Sequence, residues 1–486
     1  MSDLADFSLT EAVDAIRDRK VSSLELLDAC FAQIQLAGEE LNAFIWLDYE
    51  DARKFARKAD EALEKGNWLG PLHGIPLAHK DMFYREGKPC TCGSRIRKDF
   101  VPLATATVLA RMDAAGAYSF GGLNMAEFAG GGTGHNREFG DCHNPWNPAY
   151  VPGGSSSGPG AAVAARMTYA ALGSDTGGSI RLPAAACGVT GIKPTKTRVS
   201  RYGVMPLSFS LDNVGPLART ARDCARVLSV IAGHDPLDPT SSTEGVPIYE
   251  KALKGKADGI KIGVPETYFL DNVEHPVGIA FDNAVGLLAR RGVKVECVPV
   301  PFIGAILAYC QVVDLVEAAS NHAEWMRRRP QDLSPDISWV YPGYAIPATY
   351  YLEALSRRGP ILREFSKAVF SRVDVLATPT IPTCIPTLAE TNIGHQSVVG
   401  EGKAAKLWAN TGIFNYLGLP TVSVSCGFDP NGLPIGLSFT GRPFGEADIL
   451  KLADAYQQET DWHKRRPMLP TQDMTSSEGA VTLIER

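Results

Sequence analysis

The stretch VPGGSSSGPGAAVAARM, residues 151–167, decides how the rest of the chain is read. By composition, residues 153–160 are a flexible linker, and a linker here would divide the 486 residues into two independent halves. One helix length further on, however, comes a second Gly/Ser cluster, GSDTGGSIRLPAAACG, residues 173–188. Two such clusters bracketing a run of small residues argue for a site, because function concentrates in loops held by a rigid scaffold. The run between them, 161–172, reads as a buried core helix interrupted by Arg166.

Outward from this centre, short β-like runs alternate with helical ones. GIPLAH, AYSFGG, YAALGS, KIGVPE, VKVECVPV, VDVLATPT, TVSVSCGF and IGLSFTG read as strands, and 221–232 and 280–291 as helices. Such alternation predicts an α/β protein with helices covering an internal sheet. The first 65 residues read as helical. Ser8 to Glu11 and Ser22 to Glu25 each form a Ser-x-x-Glu capping box, and Leu27, Cys30, Phe31 and Ile34 then fall on one apolar face. The expected organisation is an N-terminal helical segment (1–65) packing on the core, a catalytic domain (66–470) and a loose polar tail (471–486).

Bulk composition narrows the partners. The chain is 45% hydrophobic and 21% charged, enough for a large core, and its net charge of −6 gives no reason to expect nucleic acid or an anionic membrane. The N-terminus has no basic start followed by an apolar run, and no stretch of about 18 apolar residues is present, so neither a signal peptide nor a membrane span is expected. The ten cysteines form no paired CxxC sets and the nine histidines no HExxH pattern. The expectation is free buried thiols in the cytoplasm, with no metal and no cofactor.

Three segments carry the chemistry: GPLHGIPLAHKDMF with Lys80, PGGSSSGPG with Ser155, and GSDTGGSIRLPAAACG with Ser179. A serine after two glycines, between a strand and a helix, is placed as a nucleophile, and the N–H groups of Thr176, Gly177 and Gly178 could converge on an oxyanion. The same turn could simply cap a helix. A hydroxyl nucleophile needs a base, and neither Gly/Ser cluster contains a histidine. Lys80 follows an apolar strand. To serve as the base its pKa must fall by about 3 units, about 4 kcal/mol, through burial. Taken alone, it could equally be a solvated loop lysine.

In order along the chain, these segments resemble the amidase signature family, through GIPLAHKD, NPAYVPGGSSSG and GSDTGGSIRLPAAACGVTGIKPT. The resemblance continues through RVSRYGVMPLSFSLDNVGPLARTARDCARVL, IAGHDPLDPTSS and FNYLGLPTVSVSCGFDPNGLPIGLSFTGRP, covering residues 8 to 465. It implies a mixed central sheet covered by helices on both faces, and a Ser–Ser–Lys triad. Lys80 is then the base, Ser155 the bridging serine on a cis peptide bond after Gly154, and Ser179 the acylated nucleophile. The amides of Thr176, Gly177 and Gly178 hold the oxyanion, and Ser156, Asp175 and Arg181 support the loop. The implied substrate is a small-molecule amide, apolar or aryl, and a homodimer is the family-level expectation. One departure is Ser157, where the family has a glycine, with Pro159 fixing a nearby φ.

Two other readings compete. Gly154 to Gly158 also matches G-x-S-x-G, which would make Ser156 the nucleophile of an α/β-hydrolase, with a histidine such as His463 as base. The preceding HNPWNPAYVP is Asn- and Pro-rich, a loop and not the strand an elbow needs. The second reading is the glutaminase subunit of a tRNA-dependent amidotransferase, which the region from RVSRYG to PTSS resembles. That subunit carries an acidic residue to grip the α-amino group of glutamine, whereas the matching stretch here, EGKAAKLWANTGIFNYLGLP, is neutral to basic and apolar. The sequence therefore favours a free-standing amidase with an apolar or aromatic acyl pocket. Phe83, Tyr84, residues 130–135, Trp325 and Trp339 are the candidates to line its substrate cleft.

Overall fold

The computed structural model describes residues 2–257, 259–392 and 402–469. The stretch expected to be a loose tail, 471–486, lies outside them. The apolar, β-branched runs between glycines become eleven strands: β1 (Phe44–Leu47), β2 (Pro76–Lys80), β3 (Tyr118–Leu123), β4 (Ala170–Asp175), β5 (Thr190–Lys193), β6 (Asn213–Ala218), β7 (Lys261–Pro265), β8 (Lys294–Val298), β9 (Val375–Pro379), β10 (Thr421–Phe428) and β11 (Pro434–Gly441). They form one sheet in the order β1-β3-β2-β4-β6-β5-β10-β11-β9-β7-β8. β2 runs parallel to β3 and β4, and β7 parallel to β8 and β9, while the pairings between these groups are antiparallel, so the sheet is mixed. Strands β2, β4, β5, β6, β9 and β11 are buried at every position. Uninterrupted burial is what a sheet covered on both faces requires.

The helices used below are α1 (Leu9–Arg17), α2 (Ser23–Leu41), α3 (Tyr49–Glu64), α4 (Ser157–Ala164), α5 (Arg181–Cys187), α6 (Ala221–Ile231), α7 (His275–Arg290), α8 (Ile303–Asn321), α9 (Ala348–Phe370) and α10 (Gly412–Leu417). Both expected capping boxes form, at Ser8 with Glu11 and at Ser22 with Glu25. α6 matches the helix expected over 221–232, and α7 starts earlier than the one expected over 280–291.

Three local readings need correction. The first 65 residues are not all helical. Asn42 takes a left-handed conformation that ends α2, and the aromatic and β-branched FIWL that follows pairs with β3 as the edge strand. The small-residue run 161–172 is not one helix. α4 stops at Ala164, Arg166 turns with φ of 65°, and β4 begins at Ala170. Both parts are fully buried, so periodicity does not separate them. Strand β5 (TGIK), short, and strand β6 (NVGPLA), interrupted by Gly215 and Pro216, are absent from the strands expected from the sequence, yet they sit mid-sheet between β4 and β10.

All ten cysteines are free thiols, seven of them buried, with Cys297 exposed and Cys310 and Cys384 between. Among the described residues α8 is the one helix long and apolar enough to cross a membrane by length and composition. Here its Glu317 is buried, accepting hydrogen bonds from Ser208, Ser210 and Tyr351.

Candidate active site

Lys80 is the last residue of β2, inside the sheet between β3 and β4, and is fully buried. Its Nζ lies 2.7 Å from Ser155 Oγ and 2.9 Å from Ser174 Oγ. Burial brings its pKa down from 10.5 to about 7, against the carboxylates of Asp212 and Asp175, which favour the charged form. Near neutral pH a large fraction of this amine is therefore uncharged and can accept a proton.

Ser155 is reached from the loop before α4. The Gly154–Ser155 peptide is cis, and Ser155 is buried with no exposed surface. The approach needs glycine at 154, since a Cβ there would lie 2.8 Å from the carbonyl oxygen of Gly131. The 130–134 segment is thus packed directly on the loop that carries Ser155.

Ser179 sits in the turn between β4 and α5. Its carbonyl accepts from Ser156 N–H at 3.3 Å, which holds the two serine loops together. Its hydroxyl makes no hydrogen bond among the described residues. The structure thus joins Lys80 to Ser155 directly, and Ser155 to Ser179 through neighbouring backbone only. The loop before Ser179 is pinned from both sides. Thr176 Oγ1 donates to Asp212 Oδ1 at 2.6 Å, and Thr411 Oγ1 donates to the Gly177 carbonyl at 2.5 Å. Gly178 has φ of +144°, open to glycine and strained for other residues, and a Cβ there would collide with Thr411. With the Gly177 carbonyl turned to Thr411, the amides of Gly177, Gly178 and Ser179 donate to no acceptor among the described residues.

Asp175 and Arg181 flank this loop as a fully buried ion pair. Arg181 also donates to the Thr411 carbonyl at 3.0 Å and to Asn415 Oδ1 at 2.5 Å, and Asn415 Nδ2 donates to Asp175 Oδ1 at 2.8 Å. Burial alone would raise the Asp175 pKa. The Arg181 charge and hydrogen bonds, helped by Lys193 and Asn415, hold it down at about 2. Ser156 turns its hydroxyl to the Ser174 carbonyl at 3.2 Å. No strand leads into residues 153–156, so the nucleophile elbow of an α/β-hydrolase is not formed there.

Several participants escape a reading of the sequence. Ser174 lies inside the second Gly/Ser cluster, five positions before Ser179, but nothing local marks it as a lysine partner. Asp212 and Thr411 come from distant loops and Asn415 from α10, and they converge only on folding. A cavity of about 240 Å³ opens at Ser174 and Met82, bounded by Tyr202, Phe209 and Asp212. Of the expected cleft residues, Phe83 is buried in the core, while Trp339 Nε1 donates to the Gly130 carbonyl at 3.0 Å and Trp325 stacks on Phe128 with centroids 4.9 Å apart. No cluster of three or more His, Cys, Asp and Glu is arranged to hold a metal ion among the described residues.

A buried lysine, two serine loops and unpaired amides can together move a proton and hold an oxyanion. The sequence profile of the family described as Amidase matches residues 25–450. This chain belongs to the amidase family. It is an amide-hydrolysing enzyme of the amidase signature type. The glutamyl-tRNA(Gln) amidotransferase A subunit of Moorella thermoacetica is 42% identical, with 94% of this chain and 98% of that protein covered. A solved structure of a vestigial protein complex bearing on the origins of an s-triazine catabolic enzyme superposes with a TM-score of 0.87 at 32% identity, covering 93% of this amidase and 98% of that chain. The peptide amidase of Stenotrophomonas maltophilia superposes at 0.83 with 28% identity, over 97% and 100% of the two chains.

Proposed function

We propose that this amidase cleaves a carbon–nitrogen amide bond through an acyl-enzyme on Ser179. Uncharged Lys80 takes the proton of Ser155, Ser155 takes that of Ser179, and the Ser179 alkoxide attacks the carbonyl. The amides of the 176–179 loop receive the oxyanion, each donor supporting about 3 kcal/mol of transition-state stabilisation. The proton returns along the relay to the departing amine, a poor leaving group until protonated. Water then repeats the sequence on the ester. The relay requires the Ser155 and Ser179 hydroxyls to come into contact when substrate binds, as catalytic contacts often tighten only then. Asp175, Arg181 and Ser156 position the loop. The observation that carries this reading is the 2.7 Å contact between fully buried Lys80 and Ser155. A fluorophosphonate should label Ser179, and Ser179→Ala should remove both label and amide turnover. Retention of turnover would refute the assignment.

For the working context, the relatives support the glutaminase subunit of a glutamyl-tRNA(Gln) amidotransferase more strongly than a free-standing amidase. Several curated relatives of that name match at 37–42% identity over nearly their full length. Glutamine hydrolysis, and co-purification with partner subunits from the native host, test this. The second reading, a free-standing amidase for an uncharged acyl group, is favoured by one observation: residues 403–420, packed against the Ser179 loop, contain no acidic side chain and present Trp408 instead.

A further inference from the structure

Lys80 has two hydroxyl partners, and they lead to different places. Ser155 Oγ, 2.7 Å from Nζ, belongs to the loop whose next residue, Ser156, is bonded to the Ser179 carbonyl. Ser174 Oγ, 2.9 Å from Nζ, accepts from the amine and turns its own proton to Met82 Sδ at 3.1 Å. A thioether is a weak acceptor, so this proton is loosely held. Ser174 and Met82 are both buried, and both line the cavity of about 240 Å³, whereas Lys80 and Ser155 do not. From this floor the cavity reaches Tyr202, Phe209 and Leu237, whose side chains are exposed. A space of this size holds several waters, and Ser174, Asp212 and Asn213 offer them polar partners. Of the two hydroxyls that touch the buried amine, Ser174 is therefore the one that borders a water-sized passage to the surface.

We propose that this cavity is a proton exit: Ser174 hands the Lys80 proton to water in the cavity, so that the base is reset while product still covers Ser179. This deepens the acyl-enzyme reading and rests on its lysine relay. Hydrolysis of the ester yields a carboxylic acid, whose ordinary pKa of about 4 lies below the value of about 7 to which burial brings Lys80. Its proton therefore ends on Lys80: the acid O–H breaks, an Nζ–H forms, and a carboxylate is left facing an ammonium. The relay starts again only when that proton leaves. Through Ser174, the Nζ–H breaks as Oγ takes the proton, and the Ser174 O–H breaks as a cavity water takes its proton and passes it to buffer. The amine released earlier takes up a proton from solvent, so the cycle balances. The other titratable groups facing Lys80 give no such route. Asp175 is held by Arg181 and Asn415, and Cys92 is fully buried. Asp212, at the cavity floor, accepts from Thr176, Leu207 and Ser208, and its charge favours a proton passing through. At the mouth, Arg201 and Asp238 are tied to backbone and to Thr240.

The test measures steady-state turnover of L-glutamine and 4-nitroacetanilide, using whichever the wild type hydrolyses faster. It is run near neutral pH at constant ionic strength, with imidazole as a mobile proton carrier. Wild-type kcat should not change with imidazole concentration. Ser174→Ala should lower kcat about tenfold more than kcat/KM, because the lost step follows the chemistry. Imidazole should restore most of that loss, since removing the hydroxyl opens the cavity floor toward Lys80. Ser174→Thr, which keeps a hydroxyl, should recover most of kcat without imidazole. Val204 lines the cavity, and adding Val204→Trp to Ser174→Ala fills the passage and should abolish the rescue. A merely structural role for Ser174 would lower kcat and kcat/KM together with no response to imidazole, and that result overturns the proposal. Rescue that survives Val204→Trp overturns it as well, since the carrier then enters elsewhere. Ser179→Ala separates the two layers. If it is inactive while Ser174→Ala ignores imidazole, only the proton exit falls. If it remains active, the acyl-enzyme reading itself falls.

Discussion

Both carboxylate oxygens of Asp175 are held by Arg181, with Nε reaching Oδ2 at 3.0 Å and Nη2 reaching Oδ1 at 2.9 Å. The pair closes over the turn that carries Ser179, and both side chains are fully removed from water. Removing one partner strands a buried charge. Arg181→Met is expected to lower stability by about 3–5 kcal/mol in urea unfolding, and Arg181→Met with Asp175→Leu should cost less than Arg181→Met alone. Equal loss in the single and double variants would mean that the charge pairing is not what stabilises the loop.

In the proposed relay the proton state of Lys80 sets the pH dependence of turnover. With its pKa brought down to about 7 by burial, the uncharged base is scarce below that value. The rate constant kcat/KM should climb about tenfold per pH unit on the acid side and level off above pH 7. Lys80→Arg, charged at every accessible pH, should be inactive throughout. A profile flat into the acid range would exclude a lysine base.

The lowered pKa also has a cost in stability. The unfolded chain holds its Lys80 proton up to about pH 10.5, while the folded protein releases it near 7. Between these values the unfolded state binds more protons, so the stability contribution of Lys80 rises with pH, and below about 7 its full penalty applies. Lys80→Met should therefore be more stable than wild type by a few kcal/mol at pH 6, about 1.4 kcal/mol for every pH interval of one between the folded and unfolded pKa values, with the advantage fading toward pH 10. Thermal unfolding of the two proteins across this range checks the sign.

Gly178 is the tightest glycine of the loop before Ser179. Gly178→Ala places a methyl group against Thr411 and Leu182 at a backbone angle that alanine seldom adopts. The expected outcome is at least a hundredfold loss of kcat/KM with a folded protein by circular dichroism, because the amides of Gly177 and Ser179 turn with the backbone. Gly177→Ala, where a Cβ would meet nothing within 4 Å, is the control and should keep far more activity.

Much of the candidate site is legible in the sequence because its chemistry is local in the chain. Glycines that permit unusual backbone angles, a serine between strand and helix, and a lysine at the end of an apolar strand each leave a mark within a few residues. The alternation of apolar runs likewise announces an α/β sheet. What misleads is burial without periodicity. A run of small residues looks the same as helix or strand when every face is covered, so 161–172 reads as one element where the chain in fact turns at Arg166. The aromatic FIWL, lying between two well-capped helices, is absorbed into them although its partner β3 lies far along the chain.

The sequence alone determined the residue types, their order and the glycine-rich loops, since these depend on backbone freedom and on neighbours in the chain. Only the tertiary structure decided the chemistry's environment. Lys80 loses its charge near neutrality because the sheet buries it. Ser174 meets Lys80, and Asp212, Thr411 and Asn415 meet the loop before Ser179, because distant segments close on one another. The Trp408 ring meets Gly132 only because segments far apart in the chain pack together. Desolvation and long-range contact are properties of packing, and no local pattern of residues encodes them.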